Sequence, residues 1–340
     1  ITPSVLSADP SVPGVAGSGF DYGVNFGNDA GGEERHASAR ELNARPRRTV
    51  PLDTMIRLLL ALVLGLAQAA GAAEYHVAMT RASDANPCTD ASRCLTIARG
   101  LEVAGAGDTL WIHGGVWTTA ITTETMAITG GSSWATQLLV AEWPGETVII
   151  RPASGTRVLY LADEDASYIE FRDIDFDAVN VTSDAVKLTA SFTASHHIRL
   201  RGGSVKNAGD GVLRGDDLEQ GILVTNGADS NEFIGVEVAY NGEASNRDHG
   251  FYIATDDNLV DGCHVHHNAA VGVQIVDVGA DGDPDRNVVR NSDIHDNGQA
   301  GPTGEGITVC GADNRIERNY SHDNQAAGIL VYDVDGVCDA

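Results

Sequence analysis

Short stretches in the C-terminal third of the chain alternate between apolar and other residues, and a glycine opens each stretch. The four clearest are Gly250–Ile253, Gly272–Ile275, Gly306–Val309 and Gly328–Val331. An asparagine stands nine or four residues before each glycine, and these are Asn241, Asn268, Asn297 and Asn324. A further asparagine stands ten residues before each of these four, and this first set is Asn231, Asn258, Asn287 and Asn314. Alternation with a period of two indicates short β-strands, and the matched asparagines indicate that each repeat makes the same turns.

These strands belong to a repeat of roughly 22 to 34 residues with no helical period between them, which is typical of a solenoid. The sequence therefore predicts an all-β fold, a right-handed parallel β-helix. An earlier triplet follows Gly221. The predicted inward residues are Ile222 and Val224, Phe251 and Ile253, Val273 and Ile275, and Ile307 and Val309. The central residues Leu223, Tyr252, Gln274 and Thr308 would face out. Asparagine tolerates the left-handed turn conformation and can pass amide hydrogen bonds between successive coils, so both asparagine sets are interpreted as ladders.

The N-terminal part divides into three segments. Residues 1–54 show no periodicity and are interpreted as a non-native or disordered upstream extension. Residues 55–73 combine a basic start, an apolar run and small residues, which predicts a secretory signal peptide; a signal anchor behind a disordered segment is the alternative. Residues 74–340 form the predicted β-helix. Because the chain ends just after a strand, we expect a truncated solenoid, with end-to-end dimerisation as the alternative.

A short helix and a disulfide are predicted near the start of the solenoid. Apolar residues from Leu95 to Ala104 suit one face of a helix, which would cap the apolar end of the coil. Export permits disulfides, and Cys88 and Cys94 flank a polar turn, so we expect them to pair. Further strands are predicted at 108–113, 137–141, 148–151, 158–161, 169–171 and 186–188.

Charge restricts the partners of this protein. The formal net charge is −26, and Lys187 and Lys206 are the only lysines among 340 residues. Such a surface repels nucleic acid and anionic membranes. It would also repel an acidic polysaccharide unless a metal ion or a local arginine patch intervened.

Several segments resemble known β-helical families. Tyr75–Val77, Gly107–Ile112 and Trp143–Glu146 resemble the opening of secreted pectate-lyase-like β-helix proteins. The later segments Asp248–Tyr252 and Ile294–Asn297 are similar to the β-helical modules of mannuronan C5-epimerases. The resemblance implies a secreted or cell-surface (periplasmic) protein that acts on a polysaccharide, although the Asp-Pro-His-Glu catalytic motif of those epimerases is absent from this sequence.

The best candidate for catalysis lies at Arg247–Tyr252. Removal of the C5 proton of a uronate requires a base, an acid and a cationic or metal clamp. Arg247, His249 and Tyr252 could supply these roles from one loop and strand, with Asp248 and Gln274 as substrate-binding neighbours. A loop that is stacked on its neighbours, with His249 as a turn residue, is the alternative.

A calcium site is predicted in the longest gap between repeats. Alternate aspartates around glycine are ligands that Ca²⁺ prefers, and here they are Asp277, Asp281, Asp283 and Asp285. A looser acidic loop contains Asp216, Asp217 and Glu219. His266, His295 and His322 share one repeat position, but any ladder residue shows such spacing, so we interpret them as structural.

Two functions remain open at this point. The first is a secreted carbohydrate-active protein that acts on an acidic polysaccharide as a lyase or a C5-epimerase-like enzyme. The second is a non-catalytic glycan-binding or cell-surface module of a longer extracellular protein. A hydrolase with paired carboxylates is a third option, which the sequence disfavours because carboxylates do not recur on the outward positions of neighbouring predicted strands.

Overall fold

The computed structural model describes residues 71–209, 219–243, 247–276, 284–301 and 303–331. The predicted extension 1–54 and most of the predicted signal peptide, residues 55–70, lie outside the described residues. Within those residues, no helix has the length and apolar character that a membrane span requires.

The described chain is a parallel β-helix with three sheets, and from Thr109 onward each coil contributes one strand to each sheet. The first sheet contains β1 (Glu74–Val77), β2 (Thr109–Ile112), β5 (Leu138–Glu142), β8 (Ile169–Arg172), β11 (Ile198–Arg201), β14 (Glu232–Ile234), β17 (Leu259–Asp261), β20 (Val288–Arg290) and β23 (Arg315–Glu317). The second contains β3 (Gly115–Trp117), β6 (Val148–Ile150), β9 (Ile174–Asp177), β12 (Ser204–Lys206), β15 (Glu237–Ala239), β18 (His264–His266), β21 (Asp293–His295) and β24 (Tyr320–His322). The third contains β4 (Ile121–Thr122), β7 (Leu159–Leu161), β10 (Val186–Leu188), β13 (Ile222–Val224), β16 (Phe251–Ile253), β19 (Val273–Ile275), β22 (Ile307–Val309) and β25 (Ile329–Val331). The predicted β-helix is confirmed.

Alternation within the strands builds one continuous apolar core inside the coil. In β16, Phe251 and Ile253 are buried and Tyr252 between them is half-buried, and β19 repeats this pattern around Gln274. Burial of a side chain of this size stabilises the fold by about 1.5 to 3 kcal/mol. The predicted inward set is confirmed, but Leu223 and Thr308, both predicted to face out, are buried as well.

The one α-helix of the described chain, α1 (Ile97–Val103), lies near the start of the solenoid. Thr96 precedes it as N-cap, and its side-chain oxygen accepts a hydrogen bond from the Arg99 backbone N–H at 3.1 Å. Ile97 and Leu101 are buried in the same core as the strands. A Cβ on Gly100 would lie 2.7 Å from side-chain atoms of Leu110, so the glycine permits close packing on the first sheet. The predicted short helix is confirmed; a 3-10 turn also spans Trp134–Thr136.

Two asparagine ladders connect successive coils, as the sequence predicts. Asn241 Nδ2 donates to Asn268 Oδ1 at 3.0 Å, and Asn268 Nδ2 donates to Asn297 Oδ1 at 2.9 Å. The second ladder repeats the arrangement, with Asn231 Nδ2 at 3.0 Å from Asn258 Oδ1. The ladder asparagines do not adopt the left-handed conformation, however.

The left-handed backbone falls one residue earlier than predicted. Positive φ angles occur at Tyr240 (58°), His267 (54°) and Asp296 (51°), each directly before a ladder asparagine. This displacement leaves the asparagine free to direct its amide along the stack, while the preceding residue reverses the chain. The prediction of left-handed ladder asparagines was therefore wrong.

The structure joins Cys88 and Cys94 in a disulfide next to β1. Both cysteines are buried in the core beside Val77, so the bridge ties the polar turn 89–93 to the first coil. Cys263 is a buried free thiol, and Cys338 lies outside the described residues.

Candidate functional site

The outward positions of the third sheet differ in charge from those of the other two sheets. Register between the strands stacks its central residues in one column: Thr122, Tyr160, Lys187, Leu223, Tyr252, Gln274, Thr308 and Leu330. No carboxylate occurs in this column along the described strands. The first and second sheets, in contrast, carry partly exposed acids such as Glu232 and Glu237. We call this column, with Arg157 beside it, the third-sheet face.

Lys187 is the central cation of the third-sheet face. It lies between Tyr160 on β7 and Leu223 on β13, and it is half-buried. Burial lowers the pKa of its ammonium group below 10.5, and the nearby Arg157 lowers it further, while Asp184 opposes both effects. A lysine with a lowered pKa holds a larger neutral fraction near physiological pH, and a neutral amine can accept a proton.

Arg157 and Asp184 lie close to Lys187 and form an ion pair with each other. Arg157 Nε lies 3.2 Å from Asp184 Oδ2, and the guanidinium carbon lies 5.2 Å from the centre of the Tyr160 ring. The Asp184 side chain is buried, and its Oδ1 accepts a hydrogen bond from the Gln220 backbone N–H at 3.3 Å. Burial raises the pKa of Asp184, whereas Arg157 and Lys187 favour its ionised form. Arg157 remains partly exposed, so donors are left for a ligand.

Two of the predicted site residues lie on the third-sheet face. Tyr252 and Gln274 occupy adjacent strands of the column and are half-buried. Tyr252 lies two strands from Lys187, a separation of roughly 10 Å at the usual strand spacing. Arg247 is exposed in the turn that leads into β16. Their predicted roles stay predictions.

Two other predicted residues are buried within the turn. His249 is 4% exposed, and its Nδ1 accepts a hydrogen bond from the Val271 backbone N–H at 3.1 Å. Burial, followed by the charge of Arg247, lowers the pKa of His249 to about 3. Asp248 is 1% exposed, and its Oδ1 accepts from the Glu219 backbone N–H at 3.3 Å. These contacts hold the turn together and keep His249 neutral.

The predicted calcium ligands are described only at Asp285. Asp277, Asp281 and Asp283 lie outside the described residues. Asp285 Oδ1 accepts a hydrogen bond from the Ala312 backbone N–H at 2.7 Å, and its own N–H donates to Asp256 Oδ1 at 2.8 Å. One oxygen of Asp285 is therefore engaged in a coil-to-coil contact, and calcium binding here stays a prediction. Asp216 and Asp217 also lie outside the described residues, and Glu219 is buried.

Sequence reasoning missed Lys187 as a functional residue. Its signal was a lysine at the centre of an apolar triplet, Val186-Lys187-Leu188, where most repeats carry an uncharged residue. Its lowered pKa comes first from burial and further from Arg157, which belongs to the preceding coil, and no local pattern reveals either effect.

The third-sheet face thus combines the Lys187 amine, the Arg157 guanidinium and two tyrosines, and its central column has no carboxylate along the described strands. Such groups can pair with anionic ligands, stack against sugar rings and transfer protons. Tyr160, Lys187 and Tyr252 lie on strands whose register sets their relative positions.

The similarities between this chain and known proteins are similarities of fold. No curated protein matches the chain. Among solved structures, pectate lyase Pel9A is 16% identical with a TM-score of 0.48, covering 75% of this chain and 64% of its own. An alginate lyase from Paenibacillus sp. is 14% identical with a TM-score of 0.45, covering 73% of this chain and 75% of its own.

A module of an epimerase is also similar. The A-module of Azotobacter vinelandii mannuronan C-5 epimerase AlgE6 is 15% identical with a TM-score of 0.28, covering 64% of this chain and 68% of its own. Likenesses at this distance concern the coiled architecture and do not bear on activity. The family described as "Right handed beta helix region" matches residues 166–338, which is more than half of the chain. The protein belongs to the right-handed β-helix family.

Proposed function

We propose that the protein is an exported carbohydrate-active enzyme that acts on an acidic polysaccharide at the third-sheet face, as a polysaccharide lyase or a C5-epimerase. The observation that carries this proposal is the placement of Lys187, with its lowered pKa, in an outward column without carboxylates. In a chain of net charge −26, a column without carboxylates along the described strands repels an anionic glycan less than the acidic surface around it.

Each residue has a role in the proposed reaction. The neutral amine of Lys187 removes the C5 proton of a uronate, and Arg157 and Arg247 offset the negative charge that develops at the carboxylate. In a lyase, the C4–O bond then breaks, a C4–C5 double bond forms, and the leaving oxygen takes a proton from an acid such as Tyr252. In an epimerase, a proton returns to C5 from the opposite side of the ring.

The proposal includes Ca²⁺ as a cofactor, because a bound Ca²⁺ could neutralise the carboxylate of the uronate. The segment 277–285 supplies the acidic residues, although Oδ1 of Asp285 accepts the Ala312 N–H and its Oδ2 lies 3.8 Å from the Arg286 guanidinium. Assays with added Ca²⁺ and with chelator therefore test this part of the proposal separately.

The test is an incubation of the full chain with pectate, alginate and glycosaminoglycans. Ultraviolet absorbance of unsaturated uronate ends reports lyase activity, and deuterium uptake at C5 from heavy water reports epimerisation. Lys187→Ala should lower either signal by about 10²- to 10⁴-fold, the usual contribution of a general base. The rate should fall as the pH decreases through the lowered pKa of Lys187, because protonation removes the base.

The second lysine offers a matched control. Lys206 lies on the second sheet and pairs with Glu237 at 2.6 Å, so Lys206→Ala should leave the rate unchanged. Equal losses in both variants would contradict a specific role for Lys187. Glycan binding without either signal would identify the chain as a non-catalytic glycan-binding module.

A further inference from the structure

A group of histidines and carboxylates covers the outward side of the second sheet, away from the third-sheet face. We call it the histidine cluster, and it consists of Glu237, His264, His266, Asp293, His295 and His322. Stacking of equivalent positions brings the rings together: His266 and His295 lie 5.2 Å apart with planes 5° from parallel, and His295 and His322 follow at 4.9 Å. These stacked rings, of His266, His295 and His322, all belong to one column of the second sheet.

A neighbouring column of the same sheet contains His264 and Asp293, which are also possible metal ligands. His264 pairs in register with Asp293, and His266 pairs with His295. Across the diagonal, His264 Nε2 lies 2.7 Å from His295 Nε2. One ligand atom of His264, one of Asp293 and one of His295 lie within 4.8 Å of one another. Two imidazole nitrogens that face each other with a carboxylate beside them form an N₂O set suited to one ion.

Surrounding carboxylates orient these ligands. His295 Nδ1–H donates a hydrogen bond to Asp296 Oδ2 at 2.7 Å, which leaves the Nε2 lone pair directed at His264. His322 Nε2 lies 3.1 Å from Asp293 Oδ1, which fixes the third ligand. A carboxylate or imidazole behind a ligand is the usual support of a metal site.

Two other histidine groups are less suited to a cation. Glu237, which lies near His264 and His266, is bonded by the Lys206 ammonium at 2.6 Å. His76 and His113 lie together with Asp90, but the Arg93 guanidinium is 3.4 Å from His113 Nδ1. A positive charge at either place opposes a bound ion. Among the described groups, the set of His264, Asp293 and His295 has no lysine or arginine among its hydrogen-bond partners.

We propose that His264, Asp293 and His295 bind one divalent transition-metal ion, with Zn²⁺ as the reference ion. Two imidazoles and one carboxylate match the ligand preference of Zn²⁺, and water completes a four-coordinate shell. His264 is exposed and Asp293 is half-buried, so the ion reaches the site from solvent. Because His264 lies on β18 and the other two lie on β21, the ion connects two successive coils.

The test is calorimetric titration of Zn²⁺ alone into the metal-stripped full chain. We expect one ion to bind per chain, and the melting temperature to rise with Zn²⁺ because the ion binds the folded state. The variant His264→Gln with His295→Gln should lose both effects. Asp296→Asn should keep the stoichiometry and weaken affinity by about 10- to 100-fold, as expected for a supporting carboxylate.

The control is a second histidine pair. His196 and His197 lie with their Nδ1 atoms 2.8 Å apart but without a neighbouring carboxylate among their hydrogen-bond partners, so their double replacement by glutamine should leave Zn²⁺ binding intact. Circular dichroism of each variant without metal checks that the fold persists. Zn²⁺ binding that survives loss of His264 and His295, or no binding to the original chain, would overturn the proposal.

Discussion

At the scale of single residues, burial decides which ionisable groups can act as acids or bases. His249 and Lys187 both have lowered pKa values, and burial is the first cause for each. They differ in access: His249 is enclosed, and a backbone N–H occupies its Nδ1, whereas Lys187 is half-buried on an outward column. The same physical effect therefore produces a structural group in one place and a candidate base in the other.

His249 should make stability depend on pH. In the folded chain its pKa is about 3, against an ordinary value of 6.5, so the unfolded chain binds more protons between these values. The free energy of unfolding should therefore fall as the pH decreases from 6.5 towards 3, by about 1.4 kcal/mol per pH unit from this group. Above pH 6.5 both states are neutral at this position and the contribution is constant.

Urea unfolding of the original chain and of His249→Gln over this pH range measures the contribution. The difference in unfolding free energy between the two should change with pH below 6.5, because glutamine does not titrate. A difference that is constant with pH would show that His249 can be protonated without loss of the fold.

At the scale of elements, close contacts between coils explain why glycines precede strands of the third sheet. A Cβ on Gly272 would lie 2.7 Å from the carbonyl oxygen of Gly306 and 2.8 Å from Asn297 Nδ2. Gly250 has the same relation to Gly272 and Asn268. Each glycine therefore leaves space for the next coil and its ladder asparagine, which explains why glycine and asparagine recur together.

Gly272→Ala should consequently destabilise the stack. Because a backbone atom of the next coil and a ladder amide must move, we expect a cost of about 1 to 3 kcal/mol, typical of overpacking in a core. Gly105→Ala is the matched control, since nothing lies within 4 Å of a Cβ there. Chemical denaturation of both variants measures the costs, and equal effects would refute the steric explanation.

Much of the fold was predictable from the sequence because the solenoid repeats local rules. The triplet Val186–Leu188 was predicted with its observed bounds, and helix α1 fell within the predicted apolar stretch. The site was less predictable because contacts between coils are not local. Lys187 meets the charge of Arg157, and His264 meets His295, only through the register of successive coils.

At the scale of the whole molecule, acidic groups outnumber basic ones, with 48 Asp and Glu against 22 Lys and Arg. Several arginines are paired locally: Arg172, Arg199 and Arg201 converge on the buried Glu170 of the first sheet, and Arg199 also pairs with Glu232. The remaining surface is strongly negative. Repulsion among these charges opposes the compact state.

Added salt should therefore stabilise the protein. Screening shortens the range of repulsion to roughly 8 to 10 Å at physiological ionic strength, so the melting temperature at neutral pH should rise with sodium chloride. A gain of 1 kcal/mol corresponds to about 1 to 2 °C for a chain of this length. Calorimetry at several salt concentrations measures the shift, and a falling melting temperature would contradict this view of the surface.

The asparagine ladders also give the stack a direction. Every described side-chain link runs the same way, with Nδ2 of an earlier coil donating to Oδ1 of a later one, as from Asn241 to Asn268 and from Asn231 to Asn258. A cut between any two coils would therefore leave amide donors on one face and amide acceptors on the other. Two copies of the same face cannot continue the ladders, since amide donors would meet donors, or acceptors would meet acceptors. Only head-to-tail contact continues both ladders, so a symmetric end-to-end pair would break them at its junction.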